Sequence, residues 1–355
     1  MFNLLKASLC AAVAAVLALS VGSARAADIR VQGQGATFPA PLYAKWIEAY
    51  NKAHPGVVID YQANGSGAGI KAVTDRTSNF GGSDAPLNAD QEKAAPAKLL
   101  HLPTIGGPEV LIYNVPGLKS LKLNSDVIAN IYLKNIKTWN DPKIAALNPG
   151  VTLPADPIVV VHRSDGSGTT FIFTDYLSKS NADWASKVGK GTAVQWPVGL
   201  GGAGNPGVAA NVKSTPGSIG YVEWAYATGQ TPPLSYASMV NKDGKEVTAS
   251  VAGVEAACAA SVKEFPADFK VSIVDSAGAT SYPICGYTYL LVYEDLSYLK
   301  DKALAQALAD YIQWCETSGQ DMAAASGYAK LPKEAQDKVL AKLKTIVFNG
   351  QPLLK

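Results

Sequence analysis

The run Ile158–Ser178 reads IVVVHRSDGSGTTFIFTDYLS and places a basic residue and a hydroxyl-rich turn between a strand and a helix. Ile158 to Val161 is a continuous β-branched run, short enough for a strand buried on both faces. Phe171, Phe173, Tyr176 and Leu177 then continue at helical spacing. Between them, Gly166 and Gly168 allow a tight turn whose N–H groups share one concavity, and the first turn of the helix adds unpaired donors with a partial positive charge. Arg163 supplies a full charge and a fork of donors, and Ser167, Thr169 and Thr170 supply hydroxyls. In outline this is an anion site. A strand-turn-helix whose Ser and Thr only cap the helix accounts equally well for one such loop.

Two further loops of the same kind tip the balance. Residues 33–41 (GQGATFPAP) follow a short strand at Ile29 to Gln32 and open a helix with Leu42, Trp46, Ile47 and Tyr50 on one face. Thr37 and the Phe38 backbone stand at its entry, where Pro39 and Pro41 are tolerated because the first-turn donors are free. Residues 63–76 (ANGSGAGIKAVTDR) follow a strand at Val57 to Tyr61 and set Ser66 among Gly65, Gly67 and Gly69 before the next helix. A flexible linker is the other reading of these glycines, but strand and helix patterns bracket them tightly. Residues 79–84 (NFGGSD) end on a carboxylate, and Gly106 and Gly107 in residues 101–114 (HLPTIGGPEVLIYN) form a candidate hinge beside another apolar strand.

Three turns opening helices, one Arg and one acid suit a small tetrahedral oxyanion. Helix N-termini contribute roughly 0.3–1 kcal/mol each when exposed and more when buried, so three of them with an Arg support micromolar binding, about −8 kcal/mol. Asp84 repels a fully ionised oxyanion such as sulfate but accepts a hydrogen bond from protonated phosphate, which makes it a discriminating element. Asp165, two residues from Arg163, is placed to hold the guanidinium in a charge-assisted pair. Catalysis has little support. Ser66 and Ser167 both miss the Gly-x-Ser-x-Gly pattern, because Asn64 and Asp165 hold the first glycine position. His162 adjoins Arg163 on a strand, so its side chain faces the other way.

Other classes are bounded by composition. Residues 1–26 read as a secretory leader: Lys6, an apolar run from Ala7 to Val21, and small residues at Ala24 and Ala26 for cleavage. That run is about 15 residues against the roughly 20 a spanning helix needs, so an exported protein that is not membrane-embedded is expected. Losing Lys6 and Arg25 reduces the 31 basic side chains to 29, equal to the 29 acidic ones, which gives no support to nucleic-acid binding. The roughly 330 remaining residues imply two domains. No Cys-x-x-Cys occurs and His54, His101 and His162 sit at no ligand spacing, so no metal or other cofactor is expected. Gly199, Gly201 and Gly204 have dinucleotide-fingerprint spacing, but Pro197 spoils the strand that motif requires. Of the three cysteines after the leader, Cys315 falls on a helical apolar face with Leu304, Leu308, Tyr311 and Ile312, which leaves Cys258 and Cys285 as the expected disulfide.

The stretches GATFPAPLYAKW, GSDAPL, IYLKNIKTWNDP, VVVHRSDGSGTTFIFTDYL, WPVGLGGAGNPGVAANV and GSIGYVEWAYA closely resemble the periplasmic phosphate-binding proteins of bacterial ABC-type phosphate importers. The similarity runs over most of the chain after the leader. It implies an α/β type II periplasmic binding protein fold, two α/β domains joined by two crossovers with the ligand cleft between them. Domain I would comprise residues 27–105 and 282–355, and domain II residues 106–281. It implies contacts to inorganic phosphate from Thr37, Phe38 (by backbone), Ser66, Asp84, Arg163, Ser167, Gly168 and Thr169, with Asp165 supporting Arg163. It also implies a periplasmic, non-enzymatic protein, monomeric before it docks on the transmembrane permease subunits of its transporter. The alternatives are a sulfate- or molybdate-type oxyanion binder, or a secreted phosphate-ester hydrolase. Gly67 departs from the family, which often has a second serine there, and three cysteines are atypical of it.

Overall fold

The computed structural model describes residues 27–263 and 265–355. The leader expected over residues 1–26 lies outside them. Among the described residues no helix is long and apolar enough to cross a membrane.

The chain begins with alternating strands and helices: β1 (Ile29–Gly35), α1 (Ala40–Ala53), β2 (Val57–Ala63), α2 (Ser66–Thr74) and β3 (Phe80–Ser83). These three strands are parallel, and parallel strands need crossover helices that cover the sheet faces. The expected apolar face of α1 is the one that packs inward, with Leu42, Trp46 and Tyr50 buried and Ile47 partly so. Trp46 Nε1 donates to Gly319 O at 2.7 Å, which ties α1 to the C-terminal part of the chain.

A long strand, β4 (Leu99–Asn114), then runs from one half of the molecule to the other. The second half repeats the alternation with β5 (Val159–Arg163), α3 (Gly168–Ser180), β6 (Leu200–Gly202), α4 (Gly204–Ser214), β7 (Ser218–Glu223) and the short helix α5 (Trp224–Thr228). After α6 (Val251–Ser261) the chain returns through β8 (Cys285–Tyr293), α7 (Lys302–Glu316) and β9 (Ala329–Lys330).

These nine strands form one sheet in the order β2-β1-β3-β8-β4-β7-β5-β6, with β9 also on β4, and among the described residues two smaller sheets of three and two strands lie outside it. β4 explains how two halves share it. Leu99 to Pro108 pair antiparallel with β8, and Glu109 to Asn114 pair antiparallel with β7. The parallel sets therefore flank a central antiparallel pair, a two-part α/β architecture of the periplasmic binding type. Gly106 and Gly107, expected as a hinge, lie inside continuous β4. Gly107 has a packing reason: a Cβ there would sit 2.8 Å from Cζ of Phe38.

The expected Cys258–Cys285 disulfide is absent. Cys258, Cys285 and Cys315 are all free and buried. The Cys285 thiol is already engaged, with Sγ 3.2 Å from Tyr282 O. Burial pushes the Cys258 thiol up to about 11. Cys315 lies on the buried face of α7, as its spacing predicts.

Candidate anion-binding site

In open α/β sheets ligands collect beyond the carboxyl ends of the parallel strands, and that is where the three loops meet. Thr37 and Phe38 follow β1, Ser66 opens α2 after β2, and Asp84 follows β3. From the other half Arg163 ends β5, Ser167 caps α3 and Gly168 begins it. Thr37, Ser66, Asp84, Arg163, Ser167 and Thr169 are each at most 3 % exposed. So many buried polar groups in one place need partners.

The two halves already touch through these groups. Gly168 N donates to Ser66 Oγ at 3.0 Å, and Gly67 N donates to Gly166 O at 2.9 Å. A Cβ on Gly168 would lie 2.5 Å from Asp84 Cβ and from Ser66 Oγ, so only glycine lets the helix entry come this close. Gly67, at the position where the family often carries a second serine, faces backbone instead: a Cβ there would lie 3.1 Å from Gly166 Cα.

Arg163 is held rigidly. Its Nε donates to Asp165 Oδ1 at 2.8 Å and its Nη2 to Asp165 Oδ2 at 2.5 Å, a bidentate fork, while Nη1 donates to Thr169 Oγ1 at 3.2 Å. The guanidinium side chain is 1 % exposed. Asp165 Oδ1 also accepts from Gly204 N at 2.9 Å. Burial works to raise the Asp165 pKa, yet the Arg163 fork outweighs it and the carboxyl stays below its ordinary value. It remains ionised and orients the arginine. His162 turns away and stacks on Trp196, as strand alternation predicts.

Asp84 behaves differently. Its Oδ1 accepts from Thr288 Oγ1 at 2.7 Å, and Ser66 Oγ lies 3.4 Å from Oδ2. Burial pushes its pKa up to about 7, against the opposing pull of Thr288, the Arg163 charge and Ser66. Near neutral pH the carboxyl is divided between a protonated form that donates and an ionised form that accepts, and it is the ionised form that can take a hydrogen bond from a protonated anion.

Ser167 Oγ caps α3 by accepting from Thr170 N at 3.0 Å, so the capping and binding readings of this serine describe one residue. Two residues escaped the sequence reading. Asn205 bridges the halves: Nδ2 donates to Thr37 Oγ1 at 2.9 Å and to Thr169 Oγ1 at 3.1 Å, and its Oδ1 accepts from Glu223 N at 3.0 Å. Its signal was the glycine-rich run before α4, which reads as a fingerprint of another class. Thr288 gave no signal, because it sits inside an apolar strand. Tyr226 and Tyr328 brace the first loop, their hydroxyls donating to Thr37 O at 2.6 Å and Phe38 O at 2.8 Å.

Comparison with known proteins places these features in context. The family model for a PBP superfamily domain matches residues 21–315. The phosphate-binding protein PstS of Pasteurella multocida is 41% identical over 319 residues, covering 89% of this chain and 90% of that protein. The phosphate-binding protein PstS of Methanocaldococcus jannaschii is 40% identical over 329 residues, covering 86% of this chain and 83% of that protein. Among solved structures, the phosphate-binding protein from Stenotrophomonas maltophilia matches with a TM-score of 0.68 at 21% identity, covering 88% of this chain and 93% of that one. An ancestral soluble variant of the human phosphate-binding protein matches with a TM-score of 0.72 at 19% identity, covering 92% and 99%. At such identity the structural likeness speaks to the fold.

Proposed function

The chain belongs to the PstS family of phosphate-binding proteins, and on that premise we propose that it captures inorganic phosphate between its two halves without transforming it. The observation that carries this reading is the pairing of unlike groups in one buried cleft. Arg163, fixed by ionised Asp165, supplies the positive charge, and Asp84, held by Thr288, supplies in its ionised form an acceptor for a phosphate proton.

Thr37, the Phe38 backbone, Ser66, Ser167, Gly168 and Thr169 complete the contact set in this proposal, with Asp165 as the support of Arg163. Hydroxyls and N–H groups at the entries of α1, α2 and α3 neutralise the anion by hydrogen bonds. The ligand is bound between domain I (residues 27–105 and 282–355) and domain II (residues 106–281). The protein works in the periplasm after loss of its leader and hands phosphate to the membrane permease subunits of an ABC importer.

Native mass spectrometry of protein purified without added phosphate tests the reading. A retained mass equal to one phosphate per chain is expected. A chain that carries no phosphate and acquires none on titration, or one that turns over a chromogenic phosphomonoester, would overturn it.

A further inference from the structure

Glu109 and Glu223 are directly opposite each other across β4 and β7, and both are fully buried. Residues paired in this way project from the same face of a sheet, and like charges there destabilise it. Among the described residues neither carboxylate oxygen of Glu109 has a hydrogen-bond partner. Both oxygens of Glu223 accept from Ala225 N at 3.0 Å.

This pair lies behind the site. Strand side chains alternate, so Glu109 projects from the same face of β4 as the position of Gly107, the face that carries the Phe38 ring. Glu223 N is bonded to Asn205, which holds Thr37 and Thr169. Tyr328, beside Glu223, holds the Phe38 carbonyl. The charged groups that bear on Glu109 are Asp84 after β3, Arg163 on β5 and Glu223 on β7. The other titratable neighbours are Tyr132, Tyr221, Tyr282 and Cys285. Arg163 is the one cation in this set, and Asp165 already occupies two edges of its guanidinium.

We propose that Glu109, paired with Glu223, is a further determinant of anion binding: a carboxyl that must carry its proton for the cleft to hold phosphate, so that capture is linked to proton retention. The inference rests on the phosphate-binding reading. An ionised Glu109 has no donor to satisfy it and would set a second negative charge beside Asp84 and the anion. Burial raises the pKa of both glutamates, Glu223 to about 8. A bound anion raises them further. If it does so by one unit, affinity falls about tenfold as pH rises through that range. Glu109 acts through the charge of the cleft and is a positioning residue.

The experiment is calorimetric titration of inorganic phosphate into wild type and Glu109→Gln from pH 6 to 9.5, in two buffers of different ionisation enthalpy to count protons. Phosphate titrates in both proteins, so its own contribution cancels in the comparison, and any change in Asp84 titration that follows from its coupling to Glu109 belongs to the linkage being measured. The affinity ratio between pH 6 and pH 9.5 is expected to be at least about fivefold smaller in Glu109→Gln, with fewer protons taken up on binding. Parallel profiles and equal proton counts would overturn the proposal while leaving phosphate binding intact. Absence of binding in both proteins at every pH would overturn both readings. If Glu109→Gln does not fold, carboxyl 13C NMR of wild type decides. Phosphate added at pH 8 must move a glutamate carboxyl signal toward its protonated position, and an unchanged glutamate spectrum refutes the linkage.

Discussion

Removing the guanidinium of Arg163 should cost more affinity than any other single truncation in the site. The side chain is 1 % exposed and makes three hydrogen bonds, two to Asp165 and one to Thr169. It is the cation that Asp84 and Asp165 share. In Arg163→Ala these two carboxyls and the incoming anion would meet in a buried cleft with no compensating charge. Breaking a buried pair on one side costs about 3–5 kcal/mol, which corresponds to a loss of roughly 100- to 5,000-fold in Kd. Arg163→Lys should recover only part of this, because a point charge cannot reproduce the fork onto Asp165 and still reach Thr169. Calorimetric titration of phosphate into the three proteins measures the effect, and thermal unfolding without phosphate separates lost binding from lost folding. An alanine variant that folds and binds within about threefold of wild type would refute the reasoning.

Asp84→Asn should narrow the preference for phosphate over sulfate, since an amide donates to either anion whereas Asp84 accepts a proton that sulfate lacks. Competition between the two anions checks it, and an unchanged ratio would assign selectivity elsewhere. The stability of the phosphate-free protein should fall as pH rises from about 4 to about 8. Asp84 and Glu223 have folded pKa values raised to about 7 and about 8, so the stability they contribute is fully present below the ordinary carboxylate range and is lost as pH climbs through those values. Melting temperature against pH should show this slope, and Glu223→Gln should flatten it. A thiol reagent should find Cys258, Cys285 and Cys315 all reactive in denaturant and all slow in the folded protein, because the three are free and buried. A single reactive thiol in denaturant would restore the disulfide.

The residues that the loops bring together were legible because each loop combined a local conformation with its chemistry. Arg163, Ser167 and Thr169 lie within seven residues, and Gly168 announces the tight helix entry that brings its N–H to Ser66. Strand and helix positions followed from periodicity, as with Leu42, Trp46 and Tyr50 on α1. What could not be read was long-range. Asn205 meets Thr37 across 168 residues, and Thr288 meets Asp84 across 204. Nothing local marks such pairs. Glu109 looks like an ordinary charge within an apolar segment until β7 sets Glu223 opposite it. A glycine pair signals either flexibility or close packing, and at Gly106 and Gly107, where β4 passes from one half to the other, the packing of Gly107 on Phe38 is visible. The cysteine arithmetic failed because it assumed that two thiols left over must pair, whereas all three are free and buried and the Cys285 thiol lies against Tyr282 O.

The central claim is that one cleft binds phosphate by combining a fixed arginine with a proton-accepting aspartate. A calorimetric titration of phosphate into phosphate-stripped wild-type protein at pH 7, repeated with sulfate present in about hundredfold excess, tests it most directly. The account predicts a single site of micromolar or tighter affinity, Kd about 1 μM or below, that sulfate barely weakens. Absence of a phosphate site, or its displacement by sulfate at equal concentration, would contradict it.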